Sequence, residues 1–234
     1  YFNQIVANKK TVYGVNTGFG ILANKKISEE DTRTLQYKIL QSHSVGVGNP
    51  IPKQVAKLML ITKLQALAQG FSGVQLSTLE RILWHIDNDV IPIVPEKGSV
   101  GASGDLAPLA HLCLPLIGLG EVFYKDNIIK TSVLFQKENL QSISLGPKEG
   151  LALINGTQFI LSYAVATVQR MHNCLEVADI IGAMSLEALQ GTKAPFDERL
   201  HNLRPFKGNQ LVAQRLRLLL QNSEIMNSHE DCDR

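Results

Sequence analysis

The sequence predicts a mainly α protein: an N-terminal α-rich portion with a small β-hairpin, then the start of a long helical bundle. Three observations predict it. Apolar residues recur at helical spacing in most of the longer segments. Turn and cap residues bracket those segments. Gly156 to Leu189 runs without a proline, enough for one long helix or two joined near Asn173. Hydrophobic residues are 44% and charged residues 19%, a balance that supports a sizeable core and argues against disorder.

The elements follow in order. The first twenty residues are strand and loop in character, and Thr11 to Gly20 forms a glycine-rich loop. Ser28-Glu29-Glu30-Asp31 reads as a capping box that opens a helix running to about Ser42. Pro50 and Pro52 open the next helix and Gly70 is placed to end it. Val55, Leu58, Met59, Thr62 and Ala66 share one of its faces. A third helix covers about Gln75 to Asp87, with Leu76, Leu79, Ile82, Leu83 and Ile86 expected inward. Leu106 to Gly118 is a short helix. Glu121–Tyr124 and Asn127–Lys130 flank Lys125-Asp126 as a hairpin. Helical pattern resumes at Lys148, stops at Gly191 to Pro195, and returns over Gln210 to Gln221. The tail from Asn222 to Arg234 is polar and expected to be poorly ordered. Residues 1–147 and 148–234 are the expected domains.

Net charge is +2 and the basic residues are scattered, so neither a nucleic-acid stripe nor a polybasic anchor is expected. Lys, Gln, His or Glu interrupt the apolar runs before about 18 residues, so no membrane span is expected. Tyr1-Phe2-Asn3-Gln4 does not read as a signal peptide, there is no initiator Met, and both ends are expected to be cuts. Cys113, Cys174 and Cys232 lack any CxxC pairing and fit reduced thiols of a cytoplasmic protein, the first two expected in the core. No histidine pair has metal-ligand spacing, so no catalytic metal is expected. His85 and His172 fall on helices, His201 and His229 on the surface.

The segment Gly98 to His111, GSVGASGDLAPLAH, concentrates glycine and serine before a helix. A GxSxG elbow fails at Asp105, and no Gly-Lys-Ser/Thr follows to make a phosphate loop. Spacing alone leaves a structural turn as open as a reactive one. In the reactive reading, the Gly104 nitrogen, unhindered by a side chain, attacks the Ala102 carbonyl. Loss of water from that ring and from Ser103 leaves an exocyclic methylidene, a soft electrophile.

This segment resembles the signature of the aromatic amino acid ammonia-lyases. So do YGVNTGFG at Tyr13 to Gly20, LQSHSVGVG at Leu40 to Gly48 and INGTQ at Ile154 to Gln158. The resemblance implies a fumarase/aspartase-like helical architecture, although the GSSxMPxKxN signature of fumarases and aspartases is absent. It implies a 4-methylidene-imidazol-5-one formed from Ala102-Ser103-Gly104, and Tyr13 as base for a β-proton. Asn155 would contact the prosthetic group or substrate, and is also placed to cap a helix beginning at Gly156. Asp105 would assist ring formation or hold the turn, and His111 would act structurally. The pair Ser42-His43 resembles the branch that converts L-histidine to trans-urocanate and ammonia, since an imidazole favours a hydrogen-bonding wall. Family members are longer, and the remainder is expected to supply a tyrosine, an arginine and a glutamate. Their active sites are shared within a homotetramer, so this piece alone is expected to be inactive. An aminomutase of the same family and a non-catalytic helical interaction piece are the alternatives.

Overall fold

The computed structural model describes residues 11–15, 17–18, 28–99 and 103–228. The chain divides into two compact units, Tyr1–Ala166 and Thr167–Arg234.

In the first unit, α1 spans Glu29–His43. It starts where the sequence indicated: the Ser28 hydroxyl accepts from Asp31 N–H at 3.0 Å and donates to the Asp31 carboxylate at 2.6 Å. Strand β1, Val47–Pro50, leads to α2, Lys53–Ala68, and α3, Leu76–Asp87, which pack on each other. Two short strands follow, β2 at Ile91–Pro92 and β3 at Pro95–Lys97. Helix α4, Leu106–Cys113, tightens into a 3₁₀ turn, Leu114–Ile117, and stops at Gly118. The hairpin forms as read: β4 is Glu121–Tyr124 and β5 Asn127–Lys130, with Val122 opposite Ile129. Strands β2, β4 and β5 make one antiparallel sheet, and β1 pairs with β3 in another. Helices α5 (Thr131–Lys137) and α6 (Glu149–Ile154) precede the long α7, Gln158–Ala188.

The core of this unit forms around α4, against which α1, α2 and α6 pack. Leu109, Ala110 and Leu112 are fully buried there with Leu40, Met59 and Leu153. Full burial of such side chains contributes about 1.5–3 kcal/mol each, which holds α4 rigidly behind the glycine-serine segment.

The second unit contains most of α7, a 3₁₀ turn at Ala194–Phe196, α8 (Glu198–Leu203), α9 (Lys207–Leu219) and α10 (Glu224–Asn227). Its small core gathers Ala183, Leu216, Leu220 and Met226.

Several expectations are corrected. On α3 the buried stripe is Thr78, Ile82 and His85, whereas Leu76 and Leu83 are exposed. Both buried polar residues have internal partners, Glu149 for Thr78 and the Val90 carbonyl for Nδ1 of His85, whereas Nε2 of His85 is buried with no hydrogen-bond partner among the described residues. The polar tail includes α10, because Ser223 caps it and Met226 anchors it. Cys174 is exposed on α7, whereas Cys113 is buried as expected. One stretch, Glu149–Ala188, is long and apolar enough to cross a membrane by length and composition, with a window of mean hydropathy 1.5. Its interruptions, such as Gln158, Ser162 and Gln169, are mostly uncharged and lower the mean too little.

Candidate functional site

Asp105 organises the glycine-serine segment. It stands just before α4, yet makes no side-chain cap bond to its own helix. Its carboxylate instead accepts from the N–H groups of Phe159 at 3.0 Å and Ile160 at 3.2 Å, in the first turn of α7. The Ser99 hydroxyl donates to its other oxygen at 2.9 Å, and the Asp105 N–H donates to the Gly156 carbonyl at 2.7 Å. A carboxylate at a helix N-terminus satisfies orphan donors and complements the dipole. Asp105 therefore ties three chain segments together while fully buried. These bonds join the segment before α4 to the Gly156 carbonyl and to the first turn of α7.

Gly104 lies between Asp105 and the exposed Ser103, with φ +122°, a backbone conformation reserved for glycine. A Cβ there would sit 2.5 Å from the Gly156 carbonyl oxygen. The Gly104 backbone is thus pressed against the Asn155–Gly156 turn. Ala102 lies outside the described residues.

That turn is also held by a residue the sequence reading missed. Lys63 on α2 is 2% exposed and its ammonium donates to the Asn155 carbonyl at 2.9 Å. Burial draws its pKa down to about 8, with Cys113 acting the other way, and burial pushes the Cys113 thiol up to about 12. A signal was present. Val55, Met59, Lys63 and Leu67 follow one another at i, i+4 spacing, so Lys63 interrupts an otherwise apolar stripe.

Asn155 itself terminates α6 and does not cap α7, which begins three residues later. Its side chain is exposed. On α1, His43 Nδ1 lies 2.9 Å from the Ile39 carbonyl and 3.1 Å from the Ser42 hydroxyl. A carbonyl can only accept, so Nδ1 carries the proton and Nε2 of the neutral ring keeps its lone pair. Ser42 is exposed and His43 half-buried. The loop that follows is fastened to the signature segment: His111 Nε2 accepts from Gly46 N–H at 3.0 Å. A Cβ on Gly98 would come within 2.9 Å of Gly46 Cα, so the two loops touch backbone to backbone. Tyr13 stands on a turn, 52% exposed, next to Gly14, whose N–H donates to the Thr17 hydroxyl at 3.1 Å. The structure thus brings Gly104, Asp105 and the Asn155–Gly156 backbone together, and links the loop that follows Ser42 and His43 to the same segment through Gly46, Gly98 and His111.

The family model for aromatic amino acid lyases matches residues 1–234. The chain belongs to this family. A histidine ammonia-lyase of Streptococcus pyogenes serotype M49 is 42% identical over 222 residues, 95% of this chain and 43% of the relative. A crystal structure of histidine ammonia-lyase from Trypanosoma cruzi superposes with a TM-score of 0.85 at 37% identity, covering 98% of this chain and 45% of that one. Tyrosine aminomutase from Streptomyces globisporus superposes with a TM-score of 0.87 at 29% identity, covering 100% and 46%. The chain therefore spans less than half the length of these relatives, and the mainly α fold is the one they share.

The residues present fit the family's prosthetic group. Gly104 has no side chain to hinder its nitrogen and sits at φ +122° with its backbone against the Gly156 carbonyl, and Ser103 is exposed.

Proposed function

We propose that the protein containing this chain is an ammonia-lyase that converts L-histidine to trans-urocanate and ammonia without a redox cofactor or metal. The observation that carries the reading is the Gly104 backbone, pressed into the Gly156 carbonyl and pinned by Asp105, in a chain 42% identical to histidine ammonia-lyases. In this reading Ala102, Ser103 and Gly104 become the 4-methylidene-imidazol-5-one, which supplies an electrophile that no ordinary side chain offers. Residues 1–147 carry that segment and residues 148–234 begin the central bundle.

The chain's own residues then take the following roles. Asp105 holds the segment in register with the first turn of α7. His43 presents an Nε2 lone pair that accepts the imidazole N–H of the substrate, and Ser42 buttresses that ring through Nδ1. Tyr13 takes the β-proton as the substrate loses its amino group, and Asn155 orients the substrate from the turn above Lys63.

Self-association as a homotetramer belongs to the same reading. Met171, Leu175, Ile181 and Met184 are exposed on α7, an apolar surface that calls for covering. Free thiols at Cys113 and Cys174 support a reducing, cytoplasmic setting. The test is the full-length protein incubated with L-histidine. Formation of urocanate with one equivalent of ammonia supports the reading. A β-amino acid product without ammonia overturns it in favour of an aminomutase. The isolated 234-residue chain is expected to release no urocanate.

A further inference from the structure

We infer that Lys63 is a positioning residue for the ring-forming segment, acting through the Asn155–Gly156 turn. This rests on the reading of Ala102-Ser103-Gly104 as the source of the electrophile.

The argument is geometric. Ring closure needs the Gly104 nitrogen brought to the Ala102 carbonyl carbon, so whatever backs Gly104 sets how often that approach occurs. Its backing is the Gly156 carbonyl, which lies where a Gly104 Cβ would be. The peptide just before that carbonyl ends in the Asn155 oxygen, and Lys63 Nζ bonds it at 2.9 Å. The turn is thus held at two successive carbonyls, that of Asn155 by Lys63 and that of Gly156 by the Asp105 N–H.

A lysine in this place is otherwise unfavourable. Lys63 is 2% exposed among apolar neighbours on α2, and no carboxylate among the described residues is bonded to it. An apolar side chain of its size would pack there without desolvating a charge. Packing alone gives no reason for an ammonium, whereas a hydrogen bond that fixes one carbonyl in one orientation does. The same bond fixes the backbone from which the Asn155 side chain projects.

The test uses the full-length protein and intact mass, with the share of chains lighter by two waters followed in time after cell-free synthesis. Lys63→Met is expected to slow the appearance of that species about tenfold or more, as expected for loss of a charge-assisted hydrogen bond at the step. Lys63→Arg keeps a cationic donor and recovers part of the rate. Melting of Lys63→Met stays within about 3 °C of the wild type, because a buried charge is removed along with the bond. Leu60→Ala, a buried neighbour on α2, is the opposite control: it melts earlier and loses two waters at the wild-type rate. Lys63→Gln, which draws the donor back from Asn155, carries the same expectation should the methionine variant fold poorly. Wild-type ring closure in folded Lys63→Met or Lys63→Gln overturns the inference. A wild-type chain that never loses two waters overturns the ring reading itself, and the inference with it.

Discussion

Two fully buried carboxylates, Asp105 and Glu149, do similar local work in the first unit. Asp105 receives two backbone N–H groups and the Ser99 hydroxyl. Glu149, at the start of α6, receives the backbone N–H groups of Gln75 and Gly146, the Gln75 amide and the Thr78 hydroxyl. Each joins segments distant in sequence, and each is satisfied by donors rather than by a cation. They differ in what lies next to them. Asp105 adjoins Gly104, at φ +122° and with its backbone against the Gly156 carbonyl, whereas Glu149 adjoins Lys148, a left-handed residue at φ +71° that opens α6. A buried carboxylate is a structural knot in both places, and Asp105 is the one that stands beside the proposed ring-forming segment, next to Gly104.

Mutation breaks the comparison most sharply at Asp105. Asp105→Ala in the full-length protein is expected to lower kcat by about 100-fold or more, since the segment loses its register. Mass spectrometry should show fewer chains lighter by two waters. Glu149→Ala is expected to lower stability by about 3 kcal/mol, read by denaturant titration, while the molecules that remain folded close the ring at the wild-type rate. Equal loss of ring closure in both variants would erase the distinction between the two knots.

Acid sharpens the comparison from another side. His85 lies on α3, the helix whose Thr78 reaches Glu149. Burial, more than the neighbouring Arg81, holds its pKa down at about 4 against 6.5, although the Val90 carbonyl opposes the shift. The unfolded chain takes up this proton below about 6.5 and the folded chain only near 4, so the stability is complete above 6.5 and lost as the pH falls toward 4. The loss amounts to about 3 kcal/mol, and His85→Asn should flatten it in denaturant titrations across that range. Hydrogen exchange should show α3 opening before α4. The smallest effect is Ser28→Ala at the start of α1, which should lower stability by about 1 kcal/mol and leave ring closure untouched.

What was legible in the sequence was mostly local. The Ser28 cap and the Lys125-Asp126 hairpin involve residues close in the chain, so composition and spacing suffice to place them. Helix α7 was legible because no proline interrupts it. The Asp105 knot was not, because its donors at Phe159 and Ile160 lie more than fifty residues away and are main-chain atoms that leave no mark on side-chain identity. Lys63 was passed over because a lysine is usually assigned to a solvated face. Leu76 and Leu83 were placed inward on hydrophobicity alone, although the partners of Thr78 and His85 turn the helix to a different face.

The contact between Gly46 and Gly98 bears on how substrate choice could be altered. The loop that follows Ser42 and His43 and the loop that leads to Ser103 touch main chain to main chain at Gly46 and Gly98, with the His111 side chain bonded to the Gly46 N–H. Exchanging Ser42 and His43, the proposed recognition pair, leaves that junction unaltered, so laboratory evolution can vary positions 42 and 43 widely. Adding even one methyl group at 46 or 98 would misalign the recognition and reactive parts together. Libraries aimed at new substrates should therefore hold the two glycines constant.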